Sequence, residues 1–295
     1  MTIEQLLQQA KEQLQNRNTS TPALDAEVLL AYTLNKPKEF LYTYPRENVS
    51  LDQEKKFQKL IDRRSDREPL AYITGYKEFY GLNFKISQDV LVPRQETELL
   101  VRETLASIPR RRKFNLFDLG TGSGCIVVAL AHILQEEKNL KKIFAVEKNK
   151  KALDVARENA SKYNLADRIE FLHSDLLNVF LTDPKHYRKD LPRLNIMAAN
   201  LPYLTRDQFQ NSPSIKHEPP EALIASEQGL SYYKKLLEQL RQLNISFLLF
   251  CEIDPSHPSL LHKMVSEIFP EAWLDIKKDL AGKDRIAKIH HTPSS

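Results

Sequence analysis

The sequence predicts an α/β fold: a small N-terminal helical unit, then a largely parallel sheet covered on both faces and closed by an antiparallel hairpin. Three observations predict it. From residue 114 onward, apolar runs of strand length alternate with runs of helical period, the pattern of βαβ units. Residues 1–68 show helical spacing throughout. Glycine is scarce: there are seven in 295 residues, where average usage of about 7% would give about twenty. The remaining copies are expected where no other residue fits. Three of the seven, Gly120, Gly122 and Gly124, fall within five residues.

Each element has its own signal. Thr2 with Gln5 forms a capping box ahead of Ile3, Leu6, Leu7, Ala10 and Leu14. Thr21-Pro22 reads as a cap with proline at the first position of a helix over Ala23–Leu34. Ser50 with Gln53 opens another helix that carries Phe57, Leu60 and Ile61 and ends in Arg63-Arg64. Between Leu70 and Leu91, Tyr72, Ile73, Phe79, Tyr80, Leu82, Phe84 and Ile86 surround Gly75 and Gly81 and suggest a short hairpin. Pro93-Arg94-Gln95-Glu96-Thr97 leads into a helix over Glu98–Ile108. Strands are expected at Phe114–Leu119, Ile143–Glu147, Ile169–His173, Ile196–Ala199 and Phe247–Ile253. Helices are expected at Gly124–Leu134, Lys150–Tyr163 and Tyr232–Leu243. Trp273–Lys278 and Arg285–His290, around Gly282, form the closing hairpin. Residues 176–195, with the run Lys185-His186-Tyr187-Arg188-Lys189, read as a basic loop.

Composition excludes several classes. Hydrophobic content of 41% and charged content of 28% describe a soluble globular chain. No apolar run approaches the roughly 18–20 residues that span a bilayer. Residues 1–15 lack the apolar core of a signal peptide, so the expected compartment is the cytoplasm. Cys125 and Cys251 give neither a disulfide framework nor a metal site. The net charge of +4 is too mild to demonstrate a nucleic-acid partner, and the run Arg110–Lys113 reads as a solvated turn.

Phe117-Asp118-Leu119-Gly120-Thr121-Gly122-Ser123-Gly124 joins the first strand of the alternating region to the next helix. Glycines here permit a sharp turn and let a ligand lie against bare main chain. Glu147 ends the next strand, where an acid can accept from both hydroxyls of a ribose, and Asp175 follows the third. All three features converge at the carboxyl ends of the strands, where open α/β sheets bind ligands. The spacing is G-x-G-x-G and not the dinucleotide G-x-G-x-x-G. That favours S-adenosylmethionine, which has no pyrophosphate to cradle.

Asn200-Leu201-Pro202-Tyr203 follows the fourth strand at the same rim. An amide-type nitrogen is a poor nucleophile because its lone pair is delocalised. Hydrogen bonds from its N–H groups to the Asn200 carboxamide oxygen and the Leu201 carbonyl would pull it towards tetrahedral geometry. The Tyr203 ring could stack on the planar group, so catalysis would rest on positioning and desolvation. The motif selects planar nitrogen acceptors: glutamine amide, adenine or cytosine amino groups.

Taken together, these segments resemble the release-factor glutamine methyltransferases, the PrmC/HemK family. The resemblance rests on Ala23-Leu24-Asp25-Ala26-Glu27-Val28-Leu29-Leu30, on Arg67–Gly75 running into Glu78-Phe79-Tyr80-Gly81, and on the linker Val90–Glu98. Glu218-Pro219 with Ala222-Leu223, Gly229-Leu230-Ser231-Tyr232-Tyr233, and Asp279–Arg285 continue it. It implies a class I S-adenosylmethionine-dependent methyltransferase, Rossmann-like, with a mostly parallel seven-stranded sheet. The implied domains are a helical substrate-docking domain over 1–70, a hairpin linker over 71–94 and the methyltransferase domain over 95–295. The implied activity is methylation of the glutamine amide in the Gly-Gly-Gln motif of peptide-chain release factors, releasing S-adenosylhomocysteine. Carried over by position, Gly120, Thr121, Gly122, Ser123, Gly124, Glu147, Asp175, Leu176 and Asn200 would surround the cofactor. Asn200, Leu201, Pro202 and Tyr203 would hold the substrate, with Asn200, Pro202 and Tyr203 catalytic. The expected state is a monomer needing neither metal, membrane nor nucleic acid.

Three positions depart from the family pattern. Leu201 stands where proline is usual, Leu243-Asn244-Ile245-Ser246 lacks a customary glycine, and Asp254 replaces another. Asn-Leu-Pro-Tyr is also the form typical of ribosomal-RNA adenine dimethyltransferases, so an adenine-N6 methyltransferase acting on ribosomal RNA or DNA is the alternative. A binding protein of the translation apparatus that has lost turnover is a third reading, disfavoured by intact Asn200, Tyr203 and Glu147.

Overall fold

Capping chemistry sets the helical ends of the chain. A computed structural model describes residues 1–187, 189, 191 and 194–293. They form two units, residues 1–76 with 212–217, and residues 77–211 with 218–295. In the first, α1 (Ile3–Asn16), α2 (Pro22–Leu34), α3 (Lys38–Thr43), α4 (Leu51–Ser65) and α5 (Leu70–Thr74) pack around Leu14, Leu29, Leu30, Phe57 and Ile61. Both expected capping boxes are present, Thr2 with Gln5 and Ser50 with Gln53. Pro22 takes the first position of α2, but the Thr21 side chain makes no cap. It donates instead to Asp25 at 2.8 Å. The buried Asp25 also holds Arg64 at 2.6 Å, which ties α2 to α4.

The hairpin expected from Leu70 onward is shorter than the apolar residues suggest. Tyr72 and Ile73 lie in α5, one helical turn between Pro69 and the left-handed Gly75. The hairpin proper is β1 (Tyr76–Phe79) and β2 (Leu82–Lys85). Its two turn residues, Tyr80 and Gly81, have φ of 51° and 74°, the backbone that a type I′ turn requires.

The second unit continues with α6 (Glu98–Ala106), β3 (Phe114–Leu119), α7 (Cys125–Ile133), β4 (Leu140–Glu147), α8 (Lys150–Lys162) and β5 (Glu170–His173). Then come α9 (Asn178–Thr182), α10 (Pro184–Tyr187), β6 (Leu194–Ala199), α11 (Arg206–Gln210), α12 (Ser231–Leu243), β7 (Phe247–Glu252), α13 (Pro258–Ile268), β8 (Trp273–Lys278) and β9 (Asp284–His291). The expected strands are all present, within a few residues at their ends. The basic loop is in part helical, as α9 and α10, and Arg188 of its basic run lies outside the described residues. No helix of the described residues is long and apolar enough to cross a membrane.

The seven strands order as β5-β4-β3-β6-β7-β9-β8, parallel except for β9, which runs against both β7 and β8. Every residue of β3, β6 and β7 is buried, as expected of a parallel sheet covered on both faces. Register sets the rim. Val146 pairs with Leu119, Leu119 with Ala199, and Ala199 with Cys251. The next residue of each strand end is therefore Glu147, Gly120, Asn200 and Glu252, in one row.

Beneath this rim Phe117 stacks on Phe144 at 4.7 Å, and Phe180 from α9 meets both edge-on at 5.5 and 5.4 Å. Removing the Phe180 ring deletes an aromatic wedge that the fixed sheet cannot refill. Phe180→Ala should lower the unfolding free energy of the sheet unit by about 3–5 kcal/mol in urea titration. A loss below about 1 kcal/mol would mean that α9 does not pack as described.

Candidate active site

A cavity of about 370 Å³ opens at the carboxyl ends of the strands. Its wall contains Gly120, Thr121, Gly122, Ser123, Glu147, Asp175, Leu176, Asn200, Leu201 and Pro202. The structure thus brings together most residues singled out in the sequence. Gly124 and Tyr203 are not part of this wall. Gly124 stands behind it at the start of α7 with φ 79°, and a Cβ there would lie 3.0 Å from the Ala156 Cβ. It lets α7 and α8 approach closely. Tyr203 lines a smaller adjoining cleft of about 40 Å³ together with Asn200, Leu201, Pro202 and Glu252.

The glycine loop is held from below and from the side. Asp118, fully buried in β3, accepts from the Thr121 hydroxyl at 2.6 Å and from the Val127 N–H at 3.1 Å through Oδ2. Its Oδ1 meets no hydrogen-bond partner among the described residues. Burial raises its pKa to about 7, against the lowering effect of those two bonds. From the side, the Gly122 N–H donates to Glu147 Oε2 at 3.0 Å, and the Asn149 N–H donates to Oε1 at 2.8 Å. Each Glu147 oxygen keeps capacity for another donor. A Cβ on Gly122 would meet nothing within 4 Å, so the loop offers bare main chain.

Asp175 is paired with Lys235 at 2.6 Å and Lys148 at 3.4 Å. Its partial burial alone would raise the pKa, but the two ammonium groups outweigh it and hold the carboxyl below its ordinary value. The buried Leu176 follows in left-handed backbone, φ 54°. Cys125, also in the cavity wall, is pushed up to about 12 by burial, so it stays a neutral thiol. Among the described residues no group of three or more His, Cys, Asp or Glu could hold a metal ion.

The tetrapeptide rests on residues that carry no assigned role in the sequence reading. Asn200 Nδ2 donates to Thr97 Oγ1 at 3.1 Å, and that hydroxyl donates to Glu252 Oε2 at 2.7 Å. The Tyr203 hydroxyl donates to Glu252 Oε1 at 3.1 Å. Burial raises the pKa of Glu252, opposed by the bonds from Thr97 and Tyr203. Burial also raises that of Tyr203, with Glu252 adding to the effect. Tyr233 of α12 lies 3.4 Å from the Leu201 carbonyl but donates its single proton at closer range to the Glu252 carbonyl. The Leu201 carbonyl therefore keeps its capacity to accept. Leu201 itself is buried, and its Cδ2 would stand 3.1 Å from a Cβ on Gly120. Tetrapeptide and glycine loop are in van der Waals contact.

Glu218, next to Pro219 of the cavity wall, accepts from the Val92 N–H at 3.0 Å and pairs with Arg94, which also lines the cavity. Gly229 lies where the chain passes Tyr203: a Cβ would stand 2.2 Å from the Tyr203 carbonyl oxygen and 2.8 Å from His257 Nε2. Thr97, Glu218 and Gly229 all fall in the segments that carry the family resemblance. Glu252 had a signal of its own kind, an acid ending an apolar strand as Glu147 does.

Known proteins match this chain over its whole length. The PrmC N-terminal domain family matches residues 5–75, and a methyltransferase domain family matches residues 111–190. A release factor glutamine methyltransferase of Bacillus cereus is 32% identical over 97% of this chain and 98% of its own. That of Koribacter versatilis is 33% identical over 100% of both chains. That of Coxiella burnetii is 34% identical over 91% of both. Among solved structures, the hMettl16 catalytic domain in complex with MAT2A 3′UTR hairpin 6 superposes with a TM-score of 0.56. It is 15% identical, over 79% of this chain and 83% of that one, which shows a common fold.

Two measurements test the site's supports. Gly229→Ala should lower methyl transfer by about 100-fold, because the Tyr203 main chain must move; an unchanged rate would show that the backbone yields freely. Asp118 has a folded pKa above its unfolded one, so its contribution is greatest below about pH 4 and is lost as pH rises through about 7. Asp118→Asn should therefore gain stability relative to the parent between pH 5 and pH 8, by a few kcal/mol in order of magnitude. Parallel urea midpoints at the two pH values would contradict this.

Proposed function

The chain belongs to the release factor glutamine methyltransferase family, and from that premise we propose that it transfers a methyl group from S-adenosylmethionine to a glutamine of peptide-chain release factors. The acceptor is the side-chain amide nitrogen in the Gly-Gly-Gln motif. The observation that carries the reading is the pair of acceptors at the end of β6. The Asn200 carboxamide oxygen makes no hydrogen bond to a described residue, and the Leu201 carbonyl retains capacity beside it.

The residues present fit the cofactor. Glu147 is oriented by two main-chain N–H groups and keeps lone pairs for a ribose. Gly122 leaves main chain bare, and Leu176 offers apolar contact in the cavity wall. Bound there, S-adenosylmethionine supplies a methyl group on a positively charged sulfur. The chain's part is positional. Two acceptors on the amide N–H groups draw the nitrogen lone pair out of conjugation. Pro202 keeps Leu201 extended, and the Tyr203 ring packs on the planar amide. In the transfer the nitrogen would gain one N–C bond and release one proton to water, and the sulfur of S-adenosylhomocysteine would keep the former C–S electrons.

The helical unit over residues 1–70 is the docking element for the release factor in this reading. Leu24, Tyr32, Tyr42 and Tyr44 are exposed on it, as a protein-binding surface requires. The reading places the enzyme in the cytoplasm as a monomer that requires neither metal nor nucleic acid.

Incubation with labelled S-adenosylmethionine and a purified release factor should place label on the Gly-Gly-Gln peptide. Label on ribosomal RNA or DNA instead would favour the adenine reading. Asn200→Ala should cut transfer by at least about 100-fold while cofactor affinity stays within about tenfold; equal loss of both would assign Asn200 to cofactor binding alone.

A further inference from the structure

We propose that Glu252, acting through Thr97, fixes which end of the Asn200 carboxamide faces the substrate, and that the same carboxylate anchors the Tyr203 ring. This rests on the function proposed above, because it concerns how that acceptor is oriented. The two ends of a carboxamide have nearly the same shape and opposite hydrogen-bonding character. Only the oxygen end can accept from a substrate amide N–H. An Asn turned the other way would present two donors to a donor and repel it.

The surroundings decide the orientation. Thr97 and Glu252 are both 2% exposed, so water does not compete for their bonds. A carboxylate only accepts, so the bond of 2.7 Å to Glu252 Oε2 consumes the single Thr97 proton. Thr97 Oγ1 is then left as an acceptor. The Asn200 atom 3.1 Å away must be the NH2 group, which leaves Oδ1 at the uncommitted end of a side chain that lines the cavity. The second Glu252 oxygen accepts from the Tyr203 hydroxyl at 3.1 Å.

One cation that acts on Glu252 is already engaged. Arg285, which acts on Glu252 electrostatically, is bonded to Asp279 through Nε and Nη2 at 3.2 Å. Among the described residues no salt bridge to Glu252 is formed. A buried carboxylate without an ion-pair partner is costly to keep. An apolar residue would fill the end of β7 at lower cost. What this one supplies is direction: it sets hydrogen-bond polarity two residues away in the chain of contacts. Glu252 and Thr97 are positioning residues, since the atoms that meet substrate belong to Asn200 and Tyr203.

Thr97→Val removes the hydroxyl at nearly constant shape, Thr97→Ser keeps it, and Glu252→Gln replaces a pure acceptor with a group that can also donate. With the full-length chain and a release factor, Thr97→Val and Glu252→Gln should each lower kcat by about 100-fold. Their S-adenosylmethionine Kd should stay within about threefold of the parent, and Thr97→Ser should recover most of the rate. Independently of turnover, the side-chain NH2 signals of Asn200 in a ¹⁵N-labelled sample, assigned by their loss in Asn200→Asp, should shift in Thr97→Val and stay near the parent position in Thr97→Ser. An Asn200 signal indifferent to Thr97→Val, or a kcat within twofold of the parent in that variant, overturns the proposal. So does a loss of cofactor affinity matching the loss of rate, which marks a general structural defect. If the parent chain does not methylate glutamine, the functional reading fails, while the Asn200 signals still decide the orientation.

Discussion

The site depends on one constraint, the register of the parallel strands. Hydrogen bonding aligns Val146, Leu119, Ala199 and Cys251 across β4, β3, β6 and β7. One residue further along stand Glu147 and Glu252, the last residues of β4 and β7, and Gly120 and Asn200, the first beyond β3 and β6. An acid that can meet a ribose, a bare backbone turn, a carboxamide acceptor and a buried carboxylate thereby become neighbours although the sequence spreads them over more than a hundred positions. Side chains alternate along a strand, so a slip of one residue would send each of these groups to the other face. The apolar burial of β3, β6 and β7 prevents that slip.

Buried acids do much of the holding. Asp118 pins the glycine loop to the first turn of α7, and Glu252 sits under the tetrapeptide. Glu218 fastens residues 92–94 to the segment that begins at Pro219. Each accepts from specific hydroxyl, guanidinium or main-chain donors in place of water, which makes it costly and geometrically exacting. The groups that line the cavity can then be few, because their angles are set from behind.

Much of this was legible in the sequence. All seven glycines have positive φ, which is what their scarcity suggested. The capping boxes of α1 and α4 needed only local bonding between neighbouring residues, and they appear as read. Legibility ended where tertiary context decided. Tyr72 and Ile73 look like strand residues, yet Pro69 and Gly75 bracket them into a helical turn. The absent family glycine near Leu243 is met by Asn244, whose φ of 50° lets it end α12 in left-handed backbone. Asp254 has no positive φ, and its Oδ1 accepts from the Ser256 N–H at 2.9 Å. That departure therefore needs no glycine. The contacts among Thr97, Asn200 and Glu252 join residues 103 and 155 positions apart, and no local pattern announces them.

Because one carboxylate serves Thr97 through one oxygen and Tyr203 through the other, the acceptor and the ring are not separate parts. Groups that share a partner do not respond additively to substitution. A descendant of this chain that adopted a different acceptor chemistry could not reach it by exchanging Asn200 first and Tyr203 later. Losing Asn200 would leave Thr97 held as an acceptor for a donor no longer there, and losing Tyr203 would leave one Glu252 oxygen without its donor. The shared support makes change at this rim concerted, and it confines gradual divergence to surfaces that Glu252 does not touch.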